Sequence, residues 1–178
     1  MAIGGTKPVW IRTCYAPDLQ GAYEDILEAA AELDEVDPEL VLENESLYGA
    51  FDKDCAKILL RMPLLPDTVP YCGGDPEQDD GPYHDEPPDD ERLMPLFDAS
   101  RREKQVVYLI DEEALRNKVV KLLYLDIHGH AVWHNTIAPE HIWEREATYC
   151  QGGALIRLRE GCYGDDPRLQ PGAHLVYW

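Results

Sequence analysis

Positive charge is scarce in this chain. Sixteen lysines and arginines stand against 35 aspartates and glutamates, for a formal net charge of −19. Acidity on that scale argues against direct binding of nucleic acid or an anionic membrane, whose phosphates it would repel. Long apolar runs are missing too: no stretch approaches the roughly 18 apolar residues needed to span a bilayer. The opening MAIGGTKPVW has no basic region followed by an apolar one, so no secretory signal is read there. The five cysteines, Cys14, Cys55, Cys72, Cys150 and Cys162, are scattered and form no CxxC. That pattern fits reduced thiols in a cytoplasmic protein better than a disulfide framework. Catalytic signatures are also lacking. There is no HExxH and no GxSxG. Gly4-Gly5-Thr6-Lys7 precedes a strand instead of following one, so it is not read as a phosphate loop.

What is present is organised around residues 106–143, VVYLIDEEALRNKVVKLLYLDIHGHAVWHNTIAPEHIW. Residues 106–110 are β-branched and aromatic and read as a strand. Asp111-Glu112-Glu113 then reads as a helix start, with acids where the helix dipole favours them. Residues 119–127 form an apolar run too continuous for a half-exposed strand, hence a central one. His128-Gly129 can turn the chain, and residues 130–136 return as a third strand. Pro139 suits the first turn of a helix over 139–146.

Upstream, residues 9–13 alternate as a first strand, with Trp10 and Arg12 on one face. Leu19, Ala22, Tyr23, Ile26, Leu27 and Ala30 keep helical spacing, which predicts a helix over 18–33. A second strand is read at 39–45 and a second helix at 52–62, stopped by Pro63. Downstream come a strand at 154–159, a turn-rich loop at 161–172 and a docked apolar end at 174–178. The expected fold is α/β: a single domain over 1–178, with a mixed β-sheet flanked by helices. A long acidic Pro/Asp-rich insertion over 64–102 interrupts it. Within that insertion, residues 75–91 hold nine acids, four prolines and no lysine or arginine. Such a segment buries little apolar surface and reads as exposed and flexible.

Four segments in order resemble an uncharacterised family of small acidic microbial proteins. They are VWIRT with its following helix, VLENESLYGAFDKDCAKILLRMP, VVYLIDEEALRNKVVKLLYLDI and IAPEHIWE. Together they cover somewhat over half of the chain. After the equivalent of Trp143 that family usually runs into an asparagine-rich stretch, whereas this chain reads EREATYCQGG. The resemblance implies the fold and no reaction.

Several constellations bear on function. His128, His130 and His134, with His141 beyond, could ligate zinc or iron, since imidazole is a common ligand near neutrality. Gly129 breaks the shared face of the first two, and solvated hairpin histidines are the simpler reading. Asp75, Glu77, Asp79 and Glu86 match positions 1, 3, 5 and 12 of a calcium loop, but the glycine falls one place late, at Gly81. A cysteine–histidine nucleophile lacks any local signature. The acidic block is the remaining feature. Asp75, Asp79, Asp80, Tyr83, Asp85, Glu86, Asp89, Asp90 and Glu91 would bind a basic protein surface, with Tyr83 as an apolar anchor. The leading expectation is therefore a non-enzymatic protein-binding module without a cofactor. A metal-dependent enzyme around His128, His130 and His134 and a nucleic-acid mimic are the alternatives.

Overall fold

The computed structural model describes residues 9–31, 41–49, 91, 94–95, 105–126, 130–142 and 171–175. They build a mixed six-stranded sheet with short helices. The strands are β1 (Val9–Arg12), β2 (Val41–Leu42), β3 (Gln105–Ile110), β4 (Val120–Leu125), β5 (Ala131–Ile137) and β6 (His174–Leu175). Their order across the sheet is β2-β1-β3-β4-β5-β6. β1 runs parallel to both β2 and β3, β4 is antiparallel to β3 and β5, and β6 is parallel to β5. Only β4 therefore runs against the others. The central place expected for the 119–127 run is where the structure puts it. The reversal from β4 into β5 is antiparallel, as the hairpin required.

Strand alternation divides the side chains between two faces. Trp10, Val106, Tyr108, Ile110, Val120, Leu122, Tyr124, Trp133 and Ile137 form one face and join the larger core. Helix α1 (Gln20–Ala31) covers it with Tyr23, Ile26 and Ala30. Trp10 meets Tyr108 edge-on, with ring centroids 4.8 Å apart, the geometry that the ring quadrupoles favour. Ile11, Val107, Leu109 and Leu125 form a smaller cluster on the other face, with Tyr48 packed against it.

Helix α1 begins later than its periodicity suggested. Pro17–Leu19 form a 3-10 turn first, and the α-helix starts at Gln20. Strand β2 is also shorter than the expected 39–45. Asn44 ends it by turning its side chain to accept the Leu47 N–H at 3.3 Å, which caps the four-residue helix α2 (Glu45–Tyr48). Capping by asparagine competes directly with strand extension. Helix α3 (Glu112–Asn117) starts where the acids predicted. Asp111 is its N-cap, accepting the Ala114 N–H at 2.8 Å. Lys118 ends it in the left-handed conformation, φ 53°, so the chain reverses at once into β4. The helix expected from Pro139 opens as a 3-10 turn, Pro139–His141. Among the described residues, no helix is long and apolar enough to cross a membrane. The readings at 52–62, 64–90 and 154–159, and the cysteines other than Cys14, lie outside the described residues.

The guanidinium of Arg12 ties β1 to α1 and to the end of β2. It lies 3.9 Å from the Tyr23 ring centre and 4.7 Å from that of Tyr15. Its Nε donates to the Cys14 carbonyl at 2.9 Å and its Nη2 to Gln20 Oε1 at 2.8 Å. Glu43 stands 3.8 Å from Nη1 and accepts the Tyr23 hydroxyl at 2.6 Å. Burial pushes the Tyr15 phenol up to about 12, against the pull of Arg12. Burial and the hydrogen bond to the Glu43 carboxylate push Tyr23 higher still. A raised phenol keeps its proton past the ordinary 10.0. We therefore expect almost no tyrosinate absorbance from this pair at about pH 10.5, where an unshifted phenol is already mostly ionised. The wild type and a Tyr15→Phe/Tyr23→Phe variant should then absorb alike at the tyrosinate maximum, and a deficit in the variant would show that the pair ionises normally.

Candidate functional site

The sheet order itself marks a place for a site. From β1 the chain goes to β2 on one side, then crosses to β3 on the other. Such a switch point, at the carboxyl ends of parallel strands, leaves a crevice where open α/β sheets bind ligands. Here the crevice is a cleft of about 810 Å³ on the face of Ile11 and Leu109. Thr13 follows β1 and Asp111 follows β3, with the Thr13 N–H bonded to the Ile110 carbonyl at 3.0 Å. Leu109 and Leu123 supply apolar floor, and Lys121 enters from the start of β4. Helix α3 forms one rim with Glu112, Glu113, Arg116 and Asn117. His134, Thr136 and Gly172 line the opposite side.

Lys121 dominates the electrostatics. Its Nζ lies 2.6 Å from Asp111 Oδ2 and 2.6 Å from Glu113 Oε2. Burial alone would lower its pKa, but the hydrogen bonds and charges of the two carboxylates outweigh it and raise the pKa above 10.5. The hydrogen bond and charge of Lys121 hold Glu113 below its ordinary 4.5. An ammonium fixed in this way neither takes a proton nor attacks a carbon near neutral pH. It can donate, and two of its three hydrogens are already engaged. Arg116 is committed to Glu112 through Nε at 2.8 Å and Nη2 at 2.7 Å.

Thr13 carries the unusual feature. The residue is 2% exposed, and its Oγ1 has no hydrogen-bond partner. A buried hydroxyl left unsatisfied costs roughly 1–3 kcal/mol. On the other rim, Gly172 holds φ +80° and donates its N–H to the His134 carbonyl at 2.7 Å. A Cβ at this glycine would lie 3.2 Å from His134 Nε2. Backbone conformation and the nearby imidazole both favour glycine there.

Of the histidines in the sequence reading, His130, His134 and His141 are described. His130 precedes β5, and its N–H donates to Asp126 Oδ1 at 2.9 Å, with Nδ1 3.4 Å from Oδ2. His134 stands opposite Leu123 in the β4–β5 register and faces the cleft. His128 lies outside the described residues. Among the described residues, no three His, Cys, Asp or Glu side chains are grouped to hold a metal ion. Of the acidic partner-binding set, Glu91 is described and exposed, while Asp75, Asp79, Asp80, Tyr83, Asp85, Glu86, Asp89 and Asp90 lie outside. Sequence reasoning singled out neither Thr13 nor Lys121. The available signal was Lys121 itself, a lone cation inside the apolar run VVKLLYL.

No protein-family model matches this chain, and comparison with curated proteins and with solved structures gives no match either.

Proposed function

We propose that this chain is a non-enzymatic interaction protein that binds a basic protein surface through the acidic segment 75–91. The four-segment resemblance to small acidic microbial proteins of no known activity is in keeping with that reading. The observation that supports it most directly is how the cations are used. Each of the four described arginines and lysines is engaged by a carboxylate of the same chain: Arg12 by Glu43, Arg116 by Glu112, Lys118 by Asp25 and Lys121 by Asp111 and Glu113. Exposed Asp18, Glu24, Glu28, Glu45 and Glu140 then add to the negative field with no described cation left over to neutralise them. A one-signed field of this kind steers and selects an oppositely charged partner. Asp75, Asp79, Asp80, Asp85, Glu86, Asp89, Asp90 and Glu91 concentrate it, and Tyr83 gives the contact an apolar anchor.

Native mass spectrometry of protein isolated gently from its host identifies the bound chain. The partner is then titrated with the wild type and with a variant whose residues 75–91 are a neutral Gly/Ser stretch of equal length. That exchange removes nine acids and takes the net charge from −19 to −10. Affinity should fall at least tenfold, and its salt dependence should flatten, while the melting temperature stays the same. Equal affinity in the two proteins would remove the proposal.

A further inference from the structure

The cleft beside Thr13 has a chemistry of its own, independent of the acidic segment. We propose that it binds an uncharged, planar small molecule bearing an amide or imide carbonyl, with that oxygen accepting from Thr13 and Lys121. Its volume of about 810 Å³ falls among small-molecule sites. Leu109 and Leu123 lie on neighbouring sides of one sheet face and offer an apolar bed for a flat ring. Two donors are in surplus. Lys121 has one hydrogen beyond those given to Asp111 and Glu113. The buried Thr13 hydroxyl has no partner at all. An orphaned polar group inside a cleft is the kind of defect that a ligand repairs.

Charge selects against the other classes. The cleft holds three carboxylates, Asp111, Glu112 and Glu113, and two cations, Arg116 and Lys121. Both cations are already neutralised by those carboxylates. A phosphate or carboxylate ligand would add uncompensated negative charge beside them. A cationic ligand could draw on the one negative charge left over, but all three carboxylates are already engaged by Lys121 or Arg116, and the groups in surplus are donors, which a cation does not accept from. A neutral carbonyl meets neither obstacle. Asn117 and His134 stand at the two rims for the polar edge of the ring.

Matched probes test this in solution with the full chain. Nicotinamide and uracil are the neutral members, and nicotinate and orotate are their carboxylate counterparts. Saturation-transfer NMR should show nicotinamide or uracil bound to the wild type, with both anions weaker. Thr13→Val should weaken the neutral probe about tenfold, the scale of one lost hydrogen bond, and Thr13→Ser should keep it. The valine variant should melt no lower than the wild type, because the hydroxyl that it lacks has no partner in the protein. Should valine crowd the site and lower the melting temperature, Thr13→Ala makes the same deletion without added bulk. Silence from both neutral probes would overturn the proposal. So would equal binding after the hydroxyl is removed, or anions binding as well as their neutral partners.

Discussion

Replacing Arg12 by alanine should lower the unfolding free energy by about 4 kcal/mol, the scale of breaking a buried charged network. Three losses combine. The cation leaves the Tyr15 and Tyr23 rings, worth about 2 kcal/mol where desolvated. The hydrogen bonds to the Cys14 carbonyl and to Gln20 vanish, and the carbonyl of Cys14 loses its donor. The aliphatic stem, 6% exposed with the rest of the residue, leaves a gap in the core. Glu43 limits the damage, because its side chain is 50% exposed and water can solvate the abandoned carboxylate. For a chain of this size the melting temperature should drop by roughly 12 °C. Arg12→Lys should recover less than half, since an ammonium cannot stack as a plane between two rings while donating sideways. Urea denaturation of the three proteins checks this. A loss below about 1 kcal/mol, or full recovery by lysine, would mean that the guanidinium plane contributes little.

Asp111→Ala should cost about 3 kcal/mol, because one carboxylate performs two jobs. Its Oδ1 caps α3 at the Ala114 N–H, a bond worth about 1 kcal/mol. Its Oδ2 is a counter-ion of Lys121, whose side chain is 21% exposed. Without it the ammonium keeps only Glu113, which is itself 72% exposed and well screened. The pH dependence follows from the shifts. Lys121 is raised above 10.5, so its stabilisation is complete below that value and drains as pH climbs through the folded pKa. Glu113 is lowered below 4.5, so its share is present above that value and disappears as pH falls through the folded pKa. The stability difference between wild type and Asp111→Ala should therefore be flat from about pH 5 to 10 and shrink on the alkaline side. A difference that grew above pH 10.5 would contradict the bridge.

The strand pattern made most of the sheet readable. The run Val120–Leu125, apolar but for Lys121, meant a central strand, and alternation at Val9–Arg12 set Trp10 and Arg12 together. Acids after Ile110 marked α3 because helix starts favour them locally. The limits of β2 were not legible. Whether Asn44 extends a strand or caps a helix depends on neighbours that a periodicity does not see. The Arg12 cluster was hidden for a similar reason. Arg12, Tyr23 and Glu43 are spread over three elements, and only the parallel pairing of β1 with β2 brings them together. The cleft was less legible still, since an unsatisfied threonine hydroxyl has no signature in a one-dimensional string. The histidines were the opposite case. They stood out by composition; His130 bonds to Asp126, His134 faces a cleft across from a leucine, and His128 lies outside the described residues.

The pairing of β1 with β3 also has a kinetic meaning. Strands β3, β4 and β5 pair with near neighbours in sequence, so they can zip together early. Val9 must find Val107, 98 positions later, before β1 is seated. Closing a chain of that length costs on the order of 4 kcal/mol of entropy by logarithmic scaling, which makes the docking of β1 the slow event. The same logarithm is forgiving of length. Shortening the intervening chain by the 17 residues of 75–91 changes the closure term by only about 0.2 kcal/mol. By the closure term alone, then, the number of residues between β1 and β3 weighs little on the pairing of those two strands.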